Sequence, residues 1–171
     1  TASPGEVGLD PRKLQGLVDL AQQFVDEGRV IGAEMLIIKN RRVVLHETVG
    51  WSDKEAGAPL ARNSIYRLRS MTKPFTGTAA LMLIDQGRLK LDSRPSEYFS
   101  SWDNERCREI TVEQLLTHYS GFVQEGWPIP ASSYDNLQQI VDACGEQGPQ
   151  HRPGEQFIYS DVNSFTLGAI V

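Results

Sequence analysis

Apolar residues at helical spacing open the chain: Leu14, Leu17, Val18, Ala21, Phe24 and Val25 recur every three to four positions. Asp10-Pro11 ahead of them is an N-cap followed by a first-turn proline, and Gly28 is placed to end the helix. Gly32 to Ile38 and Arg42 to Val49 then read as two strands around a turn at Asn40-Arg41. Ser64 to Leu68 reads as a short extended piece. From Ser70 the pattern turns helical, with Phe75, Ala79, Met82 and Leu83 on one side and Gly87 as the C-terminal cap. Pro74 is tolerated because it falls in the first turn. Thr111 to Gln114 matches a capping box ahead of Leu115-Leu116, and Asn136 to Ala143 predicts another helix. Residues 120–133 read as a loop, and Pro153-Gly154 as a turn. Phe157 to Tyr159 reads as extended, and a last helix begins near Asp161. Helix, hairpin, helices and a new strand-to-helix junction make an α/β pattern without repeats.

Composition narrows the partners. The 171 residues are 40% hydrophobic and 23% charged, as in a globular domain with a core. The formal net charge of −5 argues against nucleic acid or an anionic membrane, since both need a basic footprint. The longest apolar run, Ala79 to Ile84, is too short to span a bilayer. Cys107 and Cys144, with His46, His118 and His151, fit no metal-ligand spacing. The cysteines are expected to be buried thiols rather than a disulfide. Residues 1–30 lack the charged start and apolar stretch of a signal peptide. The chain begins at Thr1, so the compartment stays open: cytoplasmic, or periplasmic or secreted after loss of a leader.

Ser70-Met71-Thr72-Lys73 has the form S-x-x-K. At the head of a helix this spacing puts Lys73 on the face of Ser70, one turn later. A serine hydroxyl needs a base within hydrogen-bond reach to become a nucleophile, and a helix N-terminus offers N–H groups where an oxyanion develops. The plainer alternative makes Ser70 an N-cap and Lys73 a solvated first-turn residue, although a lysine there opposes the helix dipole.

The surrounding blocks weigh against that alternative. They are Tyr66-Arg67-Leu68-Arg69-Ser70-Met71-Thr72-Lys73-Pro74-Phe75-Thr76, then Gly87-Arg88-Leu89-Lys90-Leu91-Asp92. Next come Ile110-Thr111-Val112-Glu113-Gln114-Leu115-Leu116-Thr117-His118-Tyr119-Ser120-Gly121, and finally Pro153-Gly154-Glu155-Gln156-Phe157-Ile158-Tyr159-Ser160-Asp161. In this order, from about residue 30 onward, they resemble the class C beta-lactamase superfamily of serine hydrolases. That superfamily includes class C beta-lactamases, D-alanyl-D-alanine carboxypeptidases and family VIII carboxylesterases. The resemblance implies a beta-lactamase/transpeptidase-like fold: an antiparallel sheet flanked by helices, plus a helical region. It implies Ser70 as acylated nucleophile and its backbone N–H as one oxyanion donor. Lys73 becomes the proton acceptor or the group that tunes it, and Tyr159 the relay to the leaving group. No metal and no cofactor are implied. The expected substrates are carboxylic esters first, then beta-lactams or D-amino-acid peptides. A penicillin-binding or sensor-like module that acylates without turnover is the competing class.

The family's tyrosine motif usually carries asparagine two residues after the tyrosine; here that position is Asp161. For Lys73 to act as a base near neutral pH, burial must bring its ammonium down from the ordinary ~10.4. A carboxylate aimed at Lys73 would oppose that, and would also disfavour a tyrosinate at Tyr159. Asp161 is therefore expected to cap the last helix, bonding backbone N–H groups near Asn163 or Ser164 and facing away from Lys73. His118, at the end of a short helix, is expected to be structural, as a positive charge or hydrogen-bond donor. Trp51, Trp102 and Trp127 are expected to pack, with Trp127 also a candidate for lining a substrate pocket.

The whole chain, 1–171, reads as the N-terminal portion of one catalytic domain. Helix and hairpin occupy 10–50, the nucleophile helix and helical region 64–150, and the tyrosine junction 153–171. Its last residues, Leu167 to Val171, form an apolar stretch without a capping glycine or polar tail. The expectation is that a C-terminal remainder, present as a second polypeptide, packs on the hairpin and the Ser70 helix.

Overall fold

The computed structural model describes residues 1–124 and 133–171. Contacts divide the chain into two units, Thr1–Arg67 and Leu68–Val171.

In the first unit, helix α1 (Pro11–Asp26) starts as expected, with the Asp10 carboxylate accepting the Arg12 N–H at 2.8 Å. Gly28 follows its end with a φ of 71°, a left-handed conformation that glycine adopts without a Cβ penalty. Strands β1 (Gly32–Lys39) and β2 (Arg42–Asp53) form the hairpin in antiparallel register from Gly32 opposite Gly50 to Lys39 opposite Arg42, with a shift at Ile37/Ile38. Asn40 and Arg41 both have positive φ, 52° and 60°, as a two-residue turn matched to the strand twist requires. A two-residue strand β3 (Ala58–Pro59), not anticipated, pairs with the far end of β2 to give the order β1-β2-β3. Residues 65–68 form no strand.

The second unit is helical around a buried core. Trp102, Phe122, Ile110, Val112, Leu115 and Val141 are almost wholly removed from solvent. The Trp102 and Phe122 rings lie 5.4 Å apart, and the indole N–H donates to the Val141 carbonyl at 2.9 Å. Helix α2 (Lys73–Asp85) follows a single 3-10 turn, Arg69–Thr72, and Gly87 adopts a left-handed φ of 68° just beyond it. The apolar face expected on α2 is not uniformly buried. Ala80 is buried, yet Phe75, Leu81 and Met82 are exposed, because the helix carries apolar residues on both sides.

Helix α3 (Val112–Leu116) carries the full capping box: Thr111 Oγ1 accepts from the Gln114 N–H and Gln114 Oε1 from the Thr111 N–H. Helix α4 (Leu137–Gln147) is capped by Asn136, whose Oδ1 accepts from the Gln139 N–H at 3.0 Å. Helix α5 (Asp161–Ile170) packs against α2, α3 and α4. Gly121, with a φ of 85°, lies where a Cβ would collide with the backbone carbonyl of His151. Its own carbonyl accepts the His151 N–H at 3.1 Å, which ties the end of the α3 loop to the segment before Tyr159.

Candidate active site

Ser70 and Lys73 straddle the junction between the 3-10 turn and α2. Lys73 is thus the first residue of the α-helix, and its chain runs back along the turn to donate from Nζ to Ser70 Oγ at 3.1 Å. Pro74 sits next to it, where an α-helix has no N–H bond to lose. Arg69, immediately before Ser70, has a φ of 54°, a costly conformation for a residue with a long side chain.

Tyr159 reaches the same place from the segment ahead of α5. That segment is held by His118, itself at a left-handed φ of 61°. The His118 carbonyl accepts the Ile158 N–H at 2.8 Å, and its Nδ1 accepts the Ser160 N–H at 3.2 Å. The Asn163 side-chain amide approaches the same Nδ1 at 2.8 Å, while Asn163 Oδ1 takes the hydroxyl of the buried Ser120. The imidazole stacks on the Tyr159 ring, centroids 4.7 Å apart. His118 is structural, as expected. It is however neither a positive charge nor a donor at Nδ1, because the backbone N–H of Ser160 needs the lone pair there. Burial first, then the charge of Lys73, hold its pKa below the ordinary value, with Asp161 opposing.

Lys73 Nζ lies 4.8 Å from the Tyr159 ring centroid. Hydrogen bonding from Lys73, then from Ser70, lowers the Tyr159 pKa; slight burial and the charge of Asp161 push the other way and lose.

Asp161 overturns the expectation. It is the first residue of α5 rather than its cap, and its carboxylate pairs directly with the Lys73 ammonium. Ser160 takes the capping role: its Oγ accepts the Val162 N–H at 3.3 Å and donates to the Val123 carbonyl at 3.1 Å. Ser and Asp are both good caps and stand side by side, so local sequence does not choose between them. Tertiary hydrogen bonds do. Gln124 grips Asp161 at both ends, Nε2 donating to Oδ2 and Oε1 accepting the Asp161 N–H, each at 2.9 Å.

The Lys73 and Asp161 side chains are 18% and 31% exposed, so water screens the pair only partly. Burial pulls the Lys73 pKa down, but hydrogen bonds to Asp161 and Tyr159 and their charges more than offset it, and the net shift is upward. Burial likewise pushes Asp161 up, and bonds to Lys73 and Gln124 bring it below its usual value. The fear that a carboxylate here would block a tyrosinate is met by geometry: the ammonium contacts both Asp161 and Tyr159, and its nearer attraction outweighs Asp161 at the phenol.

Of the residues singled out from sequence, Ser70, Lys73, Tyr159 and Asp161 converge. Trp102 is a core residue; Trp51, at 37% exposed, is not. Trp127 lies outside the described residues. Cys107 and Cys144 are buried free thiols, raised by burial to about 11 and about 12. Among the described residues no group of three acidic, histidine or cysteine side chains could hold a metal, and no helix is long and apolar enough to cross a membrane. Gln124, Asn163 and Ser120 were missed, because nothing local marks them.

The family model described as Beta-lactamase matches residues 17–171. The chain belongs to that family. Protein flp of Staphylococcus aureus is 31% identical over 162 residues, covering 92% of this chain and 32% of the relative. Among solved structures, EstCE1, a hydrolase with promiscuous acyltransferase activity, is 27% identical with a TM-score of 0.81, covering 92% of this chain and 45% of its own. A class C beta-lactamase shares the fold, with a TM-score of 0.79 at 22% identity over 95% of this chain and 45% of its own. The chain therefore spans between a third and a half of these family members, and the beta-lactamase fold read from its motifs is the fold it has.

Proposed function

We propose that the protein is a serine hydrolase of the beta-lactamase family that works by acyl transfer through an acyl-Ser70 intermediate, with a carboxylic ester as substrate. The observation that carries this is the 3.1 Å contact between Lys73 Nζ and Ser70 Oγ at the head of α2, with Tyr159 bonded to both. Ser70 supplies the nucleophile and Lys73 and Tyr159 manage its proton. The Ser70 backbone N–H, at the start of a helix, is one oxyanion donor. No cofactor enters. The preference for an ester over a beta-lactam or a D-amino-acid peptide rests on the likeness to EstCE1 and on Asp161 standing where the family motif usually has asparagine.

The exposed apolar residues Leu36 and Ile38 on the hairpin and Phe75 and Met82 on α2 support a further part of the reading: in the full-length protein another segment covers them.

The test is to incubate the full-length protein with a p-nitrophenyl ester, a D-amino-acid amide and a chromogenic cephalosporin, following turnover and intact mass together. Release of product without a lasting adduct is expected with the ester. A persistent Ser70 adduct without turnover identifies a receptor-like module instead. Ser70→Ala should abolish acylation and leave the far-ultraviolet circular dichroism unchanged; wild-type ester turnover in that variant would overturn the assignment.

A further inference from the structure

The geometry points to Asp161 and Gln124 as positioning residues that clamp Lys73 as a permanent ammonium, leaving Tyr159 as the group that takes the Ser70 proton. This rests on Ser70 being the acylated residue.

Three observations lead there. The Asp161 carboxylate is fixed from both sides, one oxygen on Lys73 and the other on Gln124 Nε2, while its backbone N–H is held by Gln124 Oε1. Asp161 also occupies the first turn of α5, where the helix N-terminus favours a negative charge. An ammonium has three N–H donors and no acceptor; Lys73 faces three acceptors, Asp161, Ser70 and Tyr159. A neutral amine would have to turn its lone pair toward the Ser70 hydroxyl with an ionised carboxylate in contact. The groups that face Lys73 among the described residues are Ser70 on its own turn, Tyr159 and Asp161 on and before α5, and His118 after α3. His118 carries no charge to compete, because its Nδ1 lone pair is engaged by Ser160.

The resulting step balances. The Ser70 O–H proton passes to the Tyr159 phenolate as Oγ bonds the acyl carbon. Tyr159 O–H then protonates the departing alkoxide as its bond to that carbon breaks. In deacylation water gives its proton to the phenolate and its oxygen to the acyl carbon. Ser70 Oγ leaves with the proton returned by Tyr159. Lys73 keeps its three protons throughout and holds negative charge on the phenol.

The experiment reads the order in which the two groups titrate. Full-length protein labelled with carbon-13 at tyrosine Cζ and lysine Cε is titrated by NMR, the signals assigned with Tyr159→Phe and Lys73→Arg. Tyr159 is expected to lose its proton first, below its ordinary ~10, with Lys73 still an ammonium above its ordinary ~10.4. In Asp161→Asn the Lys73 midpoint falls. Single-turnover acylation by p-nitrophenyl butyrate slows by about ten-fold or more as the amine loses its fixed position. Asp161→Glu recovers part of the Lys73 midpoint. Gln124→Ala moves that midpoint the same way by less, and serves if Asp161→Asn does not fold. Lys73 titrating before Tyr159 in the wild type, or an unmoved Lys73 midpoint in Asp161→Asn, overturns the proposal. If Tyr159 titrates first but no ester, amide or cephalosporin acylates Ser70, the clamp stands and the hydrolase reading falls.

Discussion

At position 161 aspartate and asparagine have nearly the same shape and differ by one charge, and that charge governs the stability of its neighbourhood as well as its chemistry. The raised Lys73 pKa means its share of the pairing is fully present below the unfolded value near ~10.4 and is lost as pH rises through the folded one. The lowered Asp161 pKa means its share is present above ~3.9 and is lost as pH falls through the folded value. The pair therefore supports the fold across the whole neutral range. His118 behaves differently. Its folded pKa lies below ~6.5, so the unfolded chain binds a proton that the folded chain refuses. The stabilisation is full above ~6.5 and is lost as pH drops toward the folded value. We expect the urea midpoint of the full-length protein to fall between pH ~7 and ~5, and the fall to be shallower in His118→Asn, a residue that tolerates the positive φ. An equal slope in both proteins would remove His118 as its source.

Among the elements, those legible in the sequence close their own hydrogen bonds within a few residues. Asp10 bonds Arg12, Thr111 and Gln114 bond each other, Asn136 bonds Gln139, and glycines stand just past α1 and α2. Thr111→Ala should cost about 1 kcal/mol by urea denaturation. Combined with Gln114→Ala it should cost less than the two single changes added, since the box is reciprocal. Ser160→Ala should cost more, about 1–3 kcal/mol, because it also strips the Val123 carbonyl of its donor in a buried setting. The residues that were misjudged depend on partners far along the chain: Lys73 and Asp161 are 88 positions apart, and His118 and Asn163 are 45. No window of neighbouring residues carries that information. The motif blocks identified the family and brought Ser70, Lys73 and Tyr159 to notice; the direction in which Asp161 points had to come from the fold.

For the whole molecule, exposure in this chain is the quantity to question. Ile38 at 58% and Phe75 at 68% have the solvent contact of ordinary surface residues. Glutamate at such a site normally changes stability by about 0.5 kcal/mol or less. If the full-length protein covers both, Ile38→Glu and Phe75→Glu should each cost more than about 2 kcal/mol there, because each would bury a charge without a partner. Values within about 0.5 kcal/mol would show that these faces meet water.

The two thiols of the helical unit give such comparisons an internal clock. Cys107 is sealed among core side chains, with its Sγ turned to the Gly145 carbonyl at 3.4 Å, and Cys144 lies in the same core. Burial makes both poor thiolates, so an alkylating reagent finds almost nothing to attack while the core is closed. Labelling then proceeds through whatever opening exposes them, and its rate counts those events molecule by molecule at native conditions. A change at Ser160 or His118 that loosens the core will speed the label. A change at Asp161 that alters only proton traffic will leave the clock running as before.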